Sequence, residues 1–223
     1  MYIHLDNHHF KVATTPSGRK LLAKRRTRGV YRKKQKSLRP GHIKPNPRLH
    51  ASLGTKGILK MGGVGGGKVL VWETIEGRWG GVSAASVYKE AVFPALKKRY
   101  RCAKSFTILE DNDPTGNLSK LGIAAKKECK MKVFHIPKRS PDLNVLDFAI
   151  WAEVERLMRL QERKMKDKRE SRAQFENRLD RTAFALPTTF VKRSIGALKR
   201  RCGLLYDAEG GLFEEGGRSR RPL

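Results

Sequence analysis

The sequence has 223 residues, 39% of them hydrophobic, which suits one sizeable domain with a packed core, or one domain with an appendage. No apolar run approaches the roughly 20 residues that cross a bilayer, and three widely spaced cysteines fit neither a disulfide framework nor a zinc motif. The formal net charge of +28, from 49 Lys and Arg against 21 Asp and Glu, predicts a polyanionic partner.

The first predicted element is a strand over residues 2–12, YIHLDNHHFKV, which lacks the basic and apolar regions of a signal peptide. If this strand alternates, His4, Asp6 and His8 share one face. We interpret the two histidines as polar residues near Asp6, and a metal site that contains histidine is the alternative.

A basic segment, residues 13–55, follows the strand and is rich in Pro, Gly, Ser and Thr. No acidic residue occurs between Asp6 and Glu73. Lys and Arg bind nucleic-acid backbones because they release the counterions condensed on the phosphates. We therefore predict nucleic-acid binding, with a solvated, disordered loop as the alternative. The candidate contacts are Arg19, Lys20, Lys24, Arg25, Arg26, Arg28, Arg32, Lys33, Lys34, Lys36 and Arg39.

A glycine-rich stretch, Gly62–Lys68, lies between two apolar runs. It matches the beginning of a P-loop, but Val69 replaces the Ser or Thr that would hold magnesium. The following VLVWE favours a strand, whereas a P-loop must open a helix. We therefore predict a β-hairpin with a glycine turn and no nucleotide cofactor.

The remaining chain alternates between helical and strand patterns, which predicts an α/β sheet with helices on its faces. Ser83 is the expected N-cap of the next helix, and Pro94 is expected to kink it. The predicted elements are a helix over 83–100, a strand over 105–110, a helix over 119–130, a strand over 131–137, a long helix from 142 with a charged tail, and a last helix within 186–211.

Three acidic residues lie on three of these elements: Asp6 in the first strand, Asp111 after the strand of 105–110, and Asp147 near the start of the long helix. Clustered carboxylates repel one another, and Mg²⁺ or Mn²⁺ relieves that repulsion. In a chain suited to nucleic acid, this pattern indicates metal-assisted phosphodiester chemistry. The alternatives are an Asx turn at Asp111 and a helix N-terminal acid at Asp147.

The segments LEDNDP and SPDLNVLDFAIW, with 35 residues between Asp111 and Asp147, resemble the catalytic domain of mariner-type transposases. IHLDNHHF resembles the family's first acidic strand, and LKRRCGLLYDAEGG resembles its terminal helix and glycine stop. The resemblance implies a ribonuclease-H-like mixed sheet with helices on both faces, into which the composition of this chain places a long basic insertion after the first strand. It implies a catalytic domain over 1–160, a charged helix or linker over 161–181, and a helix and tail over 182–223 that complete the domain.

The resemblance also implies roles for the acids. Asp6, Asp111 and Asp147 would bind Mg²⁺ or Mn²⁺ and catalyse DNA cleavage and joining. Ser140 and Asp142 would cap the helix that carries Asp147. DNA would be held by its backbone, a homodimer is compatible with the family, no membrane partner is expected, and the location in a eukaryote would be the nucleus.

Asp113 is expected to shape the turn before Pro114. The three tryptophans, Trp72, Trp79 and Trp151, are expected to be core or interface anchors rather than base-stacking platforms.

The sequence differs from the family pattern near the acids. Asn7 replaces an acidic residue, and Thr115–Asn117 stands where the family usually has a histidine. The family's helix-turn-helix region is not expected in this sequence, so recognition of specific transposon ends is not expected either. Two other functions stay open: a catalytically inactive nucleic-acid-binding protein derived from a transposase, and a basic RNA-associated structural protein, which explains the charge but not the three acids.

Overall fold

A mixed sheet of five strands forms the centre of the computed structural model, which describes residues 2–27, 57–137, 140–165 and 168–209. The central strand β1 pairs antiparallel with β2 and parallel with β4; β2 also pairs antiparallel with β3, and β4 parallel with β5. The spatial order is therefore β3-β2-β1-β4-β5. The strands are β1 Tyr2–Phe10, β2 Ile58–Gly65, β3 Lys68–Thr74, β4 Phe106–Glu110 and β5 Met131–His135.

Six α-helices and one short 3-10 helix, Pro141–Leu143, accompany this sheet in the described ranges. Two of the α-helices contain a π-helical stretch, which is Val87–Val92 in α2 and Leu146–Ile150 in α4. The bounds are α1 Pro16–Thr27; α2 Gly81–Ser86, Val87–Val92 and Phe93–Arg99; α3 Lys120–Glu128; α4 Leu146–Ile150 and Trp151–Lys164; α5 Arg172–Phe184; and α6 Thr188–Asp207.

An apolar core lies between the sheet and the helices on each of its two faces. On one face, residues such as Phe10, Ile58 and Trp72 pack against α4, α5 and α6. On the other face, residues such as Ile3 and Leu5 pack against α2 and α3. The mixed sheet with helices on both faces confirms the predicted fold class. Most of the predicted insertion, residues 28–56, lies outside the described part of the chain.

The predicted hairpin is confirmed, with a two-residue turn between β2 and β3. Gly66 and Gly67 have φ values of +58° and +80°, which favour glycine because other residues meet a Cβ clash there. Gly62 and Gly63 lie within β2 itself. The glycine-rich stretch therefore leads from strand to strand, unlike a phosphate-binding loop.

The first part of the basic segment differs from the irregular conformation that its composition suggests, because it forms α1. Pro16 occupies the first helical position, and the Thr15 hydroxyl accepts a hydrogen bond from the Gly18 N–H at 3.2 Å. Both features favour a helix N-terminus. Leu22 is buried, so this helix packs against the domain.

The described part of segment 161–181, which was predicted as a charged helix or linker, contributes to the core. Ser171 and Gln174 form a reciprocal capping box that starts α5. Phe175, Leu179 and Ala183 recur every four residues and are buried against the sheet. This apolar stripe is hidden in the sequence by the charged residues around it.

Helix α2 begins at Gly81, and its N-cap is Gly80, three residues before the predicted N-cap Ser83. Ser83 lies one turn into the helix, where its Oγ accepts a hydrogen bond from the Gly80 N–H at 2.9 Å. The π-helical stretch precedes Pro94, which has no N–H to continue the α-helical pattern. No helix of the described ranges combines the length and apolarity that a membrane crossing needs.

Candidate active site

The sheet topology brings the strand acids to the same level. Strands β1 and β4 are parallel, with His4 opposite Leu109. Extending this register by two residues sets Asp6 of β1 level with Asp111, which directly follows β4. Asp147 lies in the π-helical start of α4, which contacts β1. We refer to Asp6, Asp111 and Asp147 as the acid cluster.

The acid cluster is electrostatically coupled. Burial, followed by the charge of Asp147, raises the pKa of Asp6 from 3.8 to about 8, and the charge of Asp111 contributes to the same shift. Burial also raises the pKa of Asp147, although a hydrogen bond from Asp6 and the charge of His8 oppose the shift. Because burial and like charges at close range both disfavour ionisation, Asp6 and Asp147 share a proton near neutral pH.

The helix that carries Asp147 also provides a hydrogen-bond donor to the Asp6 carboxyl group. The indole Nε1 of Trp151 donates to Asp6 Oδ2 at 3.0 Å. Trp151 is buried among aromatic rings, as predicted for a core anchor. Asp147 is exposed, so the acid cluster opens to solvent at this side.

Asp111 is held from the opposite side by Asn117. The amide Nδ2 of Asn117 donates to Asp111 Oδ1 at 2.7 Å and to the Asp111 carbonyl at 3.2 Å. Burial raises the pKa of Asp111, while hydrogen bonds from the Asp113 N–H and from Asn117 lower it. Asn117 therefore holds both the side chain and the backbone of Asp111 through one amide group.

A buried polar network of Tyr88, Glu110, Asn117 and Lys126 supports that amide. Tyr88 Oη lies 2.6 Å from Glu110 Oε2 and 3.1 Å from Asn117 Oδ1. Lys126 forms an ion pair with Glu110 and donates to the Asn117 carbonyl at 2.8 Å. Glu110 and Lys126 are only 1% and 3% exposed, so each depends on the other for charge compensation.

Asp113 shapes the turn that follows it and leads to α3, whereas the prediction placed its role in the turn before Pro114. Its carboxylate accepts hydrogen bonds from Trp79 Nε1 at 2.8 Å, from the Thr115 hydroxyl and from the Gly116 N–H at 2.9 Å. Burial alone would raise the pKa of Asp113, but these hydrogen bonds hold it below its ordinary value. The side chain is therefore committed to the turn.

The segment before Asp147 differs from the predicted capping arrangement. Asn144, rather than Ser140 or Asp142, supplies the capping oxygen, and its Oδ1 accepts from the Leu146 N–H at 3.1 Å. Arg201 of α6 donates to the Asp142 carbonyl at 3.1 Å and stacks on Phe148, with its Cζ 3.6 Å from the ring centroid. The C-terminal helix therefore fixes the segment that carries Asp147.

The two histidines of β1 have different surroundings. His4 is 1% exposed, and burial lowers its pKa to about 4, so the ring is neutral. His8 stacks on Trp151 with the ring centroids 5.1 Å apart, and its Nε2 lies 3.3 Å from Glu155 Oε1. These positions agree with the interpretation as polar residues around Asp6.

The donor chemistry of the acid cluster fits a hard divalent cation. The charges of Asp147 and Asp111 raise the pKa of Asp6, which a bound cation would counteract, and carboxylate oxygens are ligands that Mg²⁺ and Mn²⁺ prefer. In the described ranges, however, no group of three or more His, Cys, Asp or Glu side chains is spaced closely enough to hold a metal ion.

Several solved structures share this architecture. The Mos1 mariner paired-end complex with Mg matches 96% of this chain and 56% of its own chain, with a TM-score of 0.67 and 15% identity. The Mos1 paired-end complex with the left transposon end gives a TM-score of 0.64 and 17% identity over the same shares. The protein has the fold of a mariner transposase catalytic domain.

The isolated catalytic domain of Mos1, solved with raltegravir and Mg, matches 96% of this chain and 85% of its own length, with a TM-score of 0.64 and 14% identity. The present chain thus spans a little over half of the longer Mos1 transposase chains. No family model and no curated protein matches the sequence.

The structure describes the side chains of two of the predicted DNA contacts, Arg19 and Lys20. Lys20 of α1 is exposed. Arg19 is buried, and its guanidinium donates to the Lys168 carbonyl at 2.5 Å, so it packs inside the protein instead of facing solvent. Lys24, Arg25 and Arg26 lie within α1. The others, Arg28, Arg32, Lys33, Lys34, Lys36 and Arg39, lie outside the described residues.

Three residues near the acids make contacts that the sequence did not indicate. Asn117 holds Asp111, Trp151 holds Asp6, and Arg201 fixes the segment before Asp147. Their contacts join residues from 6 to 145 positions apart. Only the spacing of Trp151, one turn after Asp147, was a usable signal, because both then lie on one side of a helix.

Proposed function

We propose that the protein is a transposase-type enzyme that cleaves and joins DNA with Mg²⁺ or Mn²⁺. The observation that carries this proposal is geometric: the β1–β4 register sets Asp6 level with Asp111, and Asp147 lies on the helix start that contacts β1. Mos1, which shares the fold, has been solved in complexes with a transposon end and with Mg or Mn.

The three carboxylates would hold the metal. A bound divalent cation would activate the attacking water or 3′-hydroxyl and stabilise the leaving oxygen. Asp6 would lose the proton that it shares with Asp147, while Trp151 and Asn117 keep an oxygen of Asp6 and of Asp111 in place. Since Asp147 is exposed, a DNA backbone can approach the acid cluster from its side.

DNA would be bound by its backbone. The net charge of +28 and the absence of acids between Asp6 and Glu73 support a sequence-independent contact through the basic segment. Lys20 is an exposed contact of this kind on α1. Arg19 is not part of the proposed DNA surface, because it is buried.

The second candidate function is that of a non-catalytic DNA-binding relative. The observation that favours it is that the described residues contain no set of side chains spaced to hold a metal as they stand. This candidate keeps the fold and the DNA binding but needs no cation.

Nicking of a supercoiled plasmid in Mg²⁺ and in Mn²⁺ separates the two candidates. We expect the wild type to nick and Asp111→Asn to lose nicking while it keeps DNA binding, because asparagine has the same size but lacks the negative charge. Asp207→Asn, the same change at an exposed position of α6, is the matched control and should nick like the wild type.

Equal nicking by the wild type and by Asp111→Asn would contradict the assignment of Asp111. Retained DNA binding with no nicking by the wild type in either metal would favour the non-catalytic candidate.

A further inference from the structure

Trp151 contacts the acid cluster through its indole N–H group. Its indole Nε1 lies 3.0 Å from Asp6 Oδ2. An indole N–H can only donate, so the bond requires an accepting oxygen and is strongest when Asp6 is ionised. A cation-binding carboxylate is such an acceptor.

The start of α4 places Trp151 and Asp147 beside the same residue, Asp6. The backbone N–H of Trp151 donates to the Leu146 carbonyl, which closes the π-helical turn Leu146–Ile150. Such widened turns are rare and are frequent at functional sites. Here the turn sets Asp147 and Trp151 against Asp6 from one helix.

The Trp151 ring has little freedom to move away. Trp72 and Phe10 lie 5.2 and 5.8 Å from it between ring centroids, and His8 stacks on it at an interplanar angle of 17°. The side chain is 3% exposed. The donor is therefore held in place by packing and not only by its hydrogen bond.

The strand opposite leaves space for this ring. Gly62 of β2 pairs with Asp6, and a Cβ added at Gly62 would lie 2.3 Å from Trp151 Cη2. Real Cβ atoms do not approach so closely, so a side chain at position 62 would push the indole away from Asp6. The close approach of Trp151 explains this glycine.

We propose that Trp151 is a positioning residue that fixes Oδ2 of Asp6 and leaves the other oxygen of that carboxylate for the metal. The proposal rests on the proposed metal-dependent function. Partners that orient a metal-binding carboxylate typically contribute about 10–100-fold to metal affinity or activity.

The test compares two buried tryptophans of the same aromatic cluster. Trp151→Phe removes a donor that bonds to Asp6, whereas Trp72→Phe removes an indole N–H that has no hydrogen-bond partner among the described residues. We expect Trp151→Phe to need about 10–100-fold more Mn²⁺ for half-maximal nicking, with most of the maximal rate recovered at saturating Mn²⁺. Trp72→Phe should keep the wild-type Mn²⁺ requirement.

A second pair of variants leaves every acid of the cluster and Trp151 itself unchanged. Gly62→Ala displaces Trp151 and should raise the Mn²⁺ requirement as Trp151→Phe does. Gly63→Ala meets Leu5 and Val71 on the opposite face of the sheet, at 2.8 and 2.9 Å, and should change stability without changing the Mn²⁺ requirement. Calorimetric titration of the full chain with MnCl₂ measures affinity independently of nicking.

The outcomes separate this proposal from the function on which it rests. If the wild type nicks but folded Trp151→Phe and Trp72→Phe need the same Mn²⁺ concentration, the positioning role is overturned and the enzyme assignment stands. If the wild type neither binds Mn²⁺ nor nicks, both are overturned. The proposal is supported if Trp151→Phe and Gly62→Ala both need more Mn²⁺ than the wild type, while Trp72→Phe and Gly63→Ala do not.

Discussion

Replacement of Asp6 by asparagine should stabilise the metal-free protein, and the gain should grow with pH. The introduced amide would resemble the protonated carboxyl: it can accept from Trp151 and donate to Asp147 without carrying a charge. The wild type must instead ionise a buried carboxyl beside two other acids as the pH rises. The variant therefore tests the combined cost of burying and ionising Asp6 beside the other acids.

The magnitude follows from the two pKa values of Asp6, which are 3.8 for the free side chain and about 8 in the folded protein. Between pH 3.8 and about pH 8, the folded state binds more protons than the unfolded state. The free energy of unfolding therefore falls as the pH rises through this range and levels off above it. Each unit of pH removes at most about 1.4 kcal/mol, or about 4 kcal/mol between pH 5 and pH 8.

Urea unfolding in EDTA at pH 5, 6, 7 and 8 measures this effect for the wild type and Asp6→Asn. We expect the difference in unfolding free energy to widen steadily across the series in favour of the variant. Asp207→Asn, an exposed carboxylate outside the acid cluster, should follow the wild type. A difference between Asp6→Asn and the wild type that stays constant with pH would refute the reasoning.

Two further predictions concern DNA binding and the buried polar network. Replacing four basic residues by alanine should flatten the slope of log affinity against log salt by up to ~3–4 units in a DNA-binding titration; an unchanged slope would exclude them as contacts. These residues are Arg25, Arg26, Lys33 and Lys34. Lys126→Met should lower the unfolding free energy by about 3–5 kcal/mol in urea, because Glu110 stays buried without its cation; a loss below about 1 kcal/mol would contradict the pairing.

The fold class could be predicted from the sequence because its strand and helix patterns are local. The runs that form β4 and β5, and the glycine turn at Gly66 and Gly67, need only neighbouring residues to be recognised. Helix α5 was not recognised as part of the core, because Phe175 and Leu179 occur in a strongly charged stretch. In that stretch, the high content of charged residues concealed the helical spacing of the apolar ones.

The acid cluster could be nominated from sequence because each acid lies in, or directly beside, a predicted strand or helix. Which side chains would hold those acids could not be predicted, since the contacts depend on how distant elements approach. The hydrogen bond between Trp151 and Asp6 joins α4 to β1 across 145 positions, and it also requires a glycine at position 62 of a third element. Burial of Arg19 likewise follows from the packing of α1 near Lys168.

Crystals grown with MnCl₂ would locate the cation by its anomalous scattering. The account predicts manganese bonded to carboxylate oxygens of Asp6, Asp111 and Asp147, at about 2 Å as for comparable divalent ions, with the Asp6–Asp147 hydrogen bond lost. Saturating Mn²⁺ with no peak among these three residues, or with a peak bound elsewhere and the hydrogen bond intact, would contradict it.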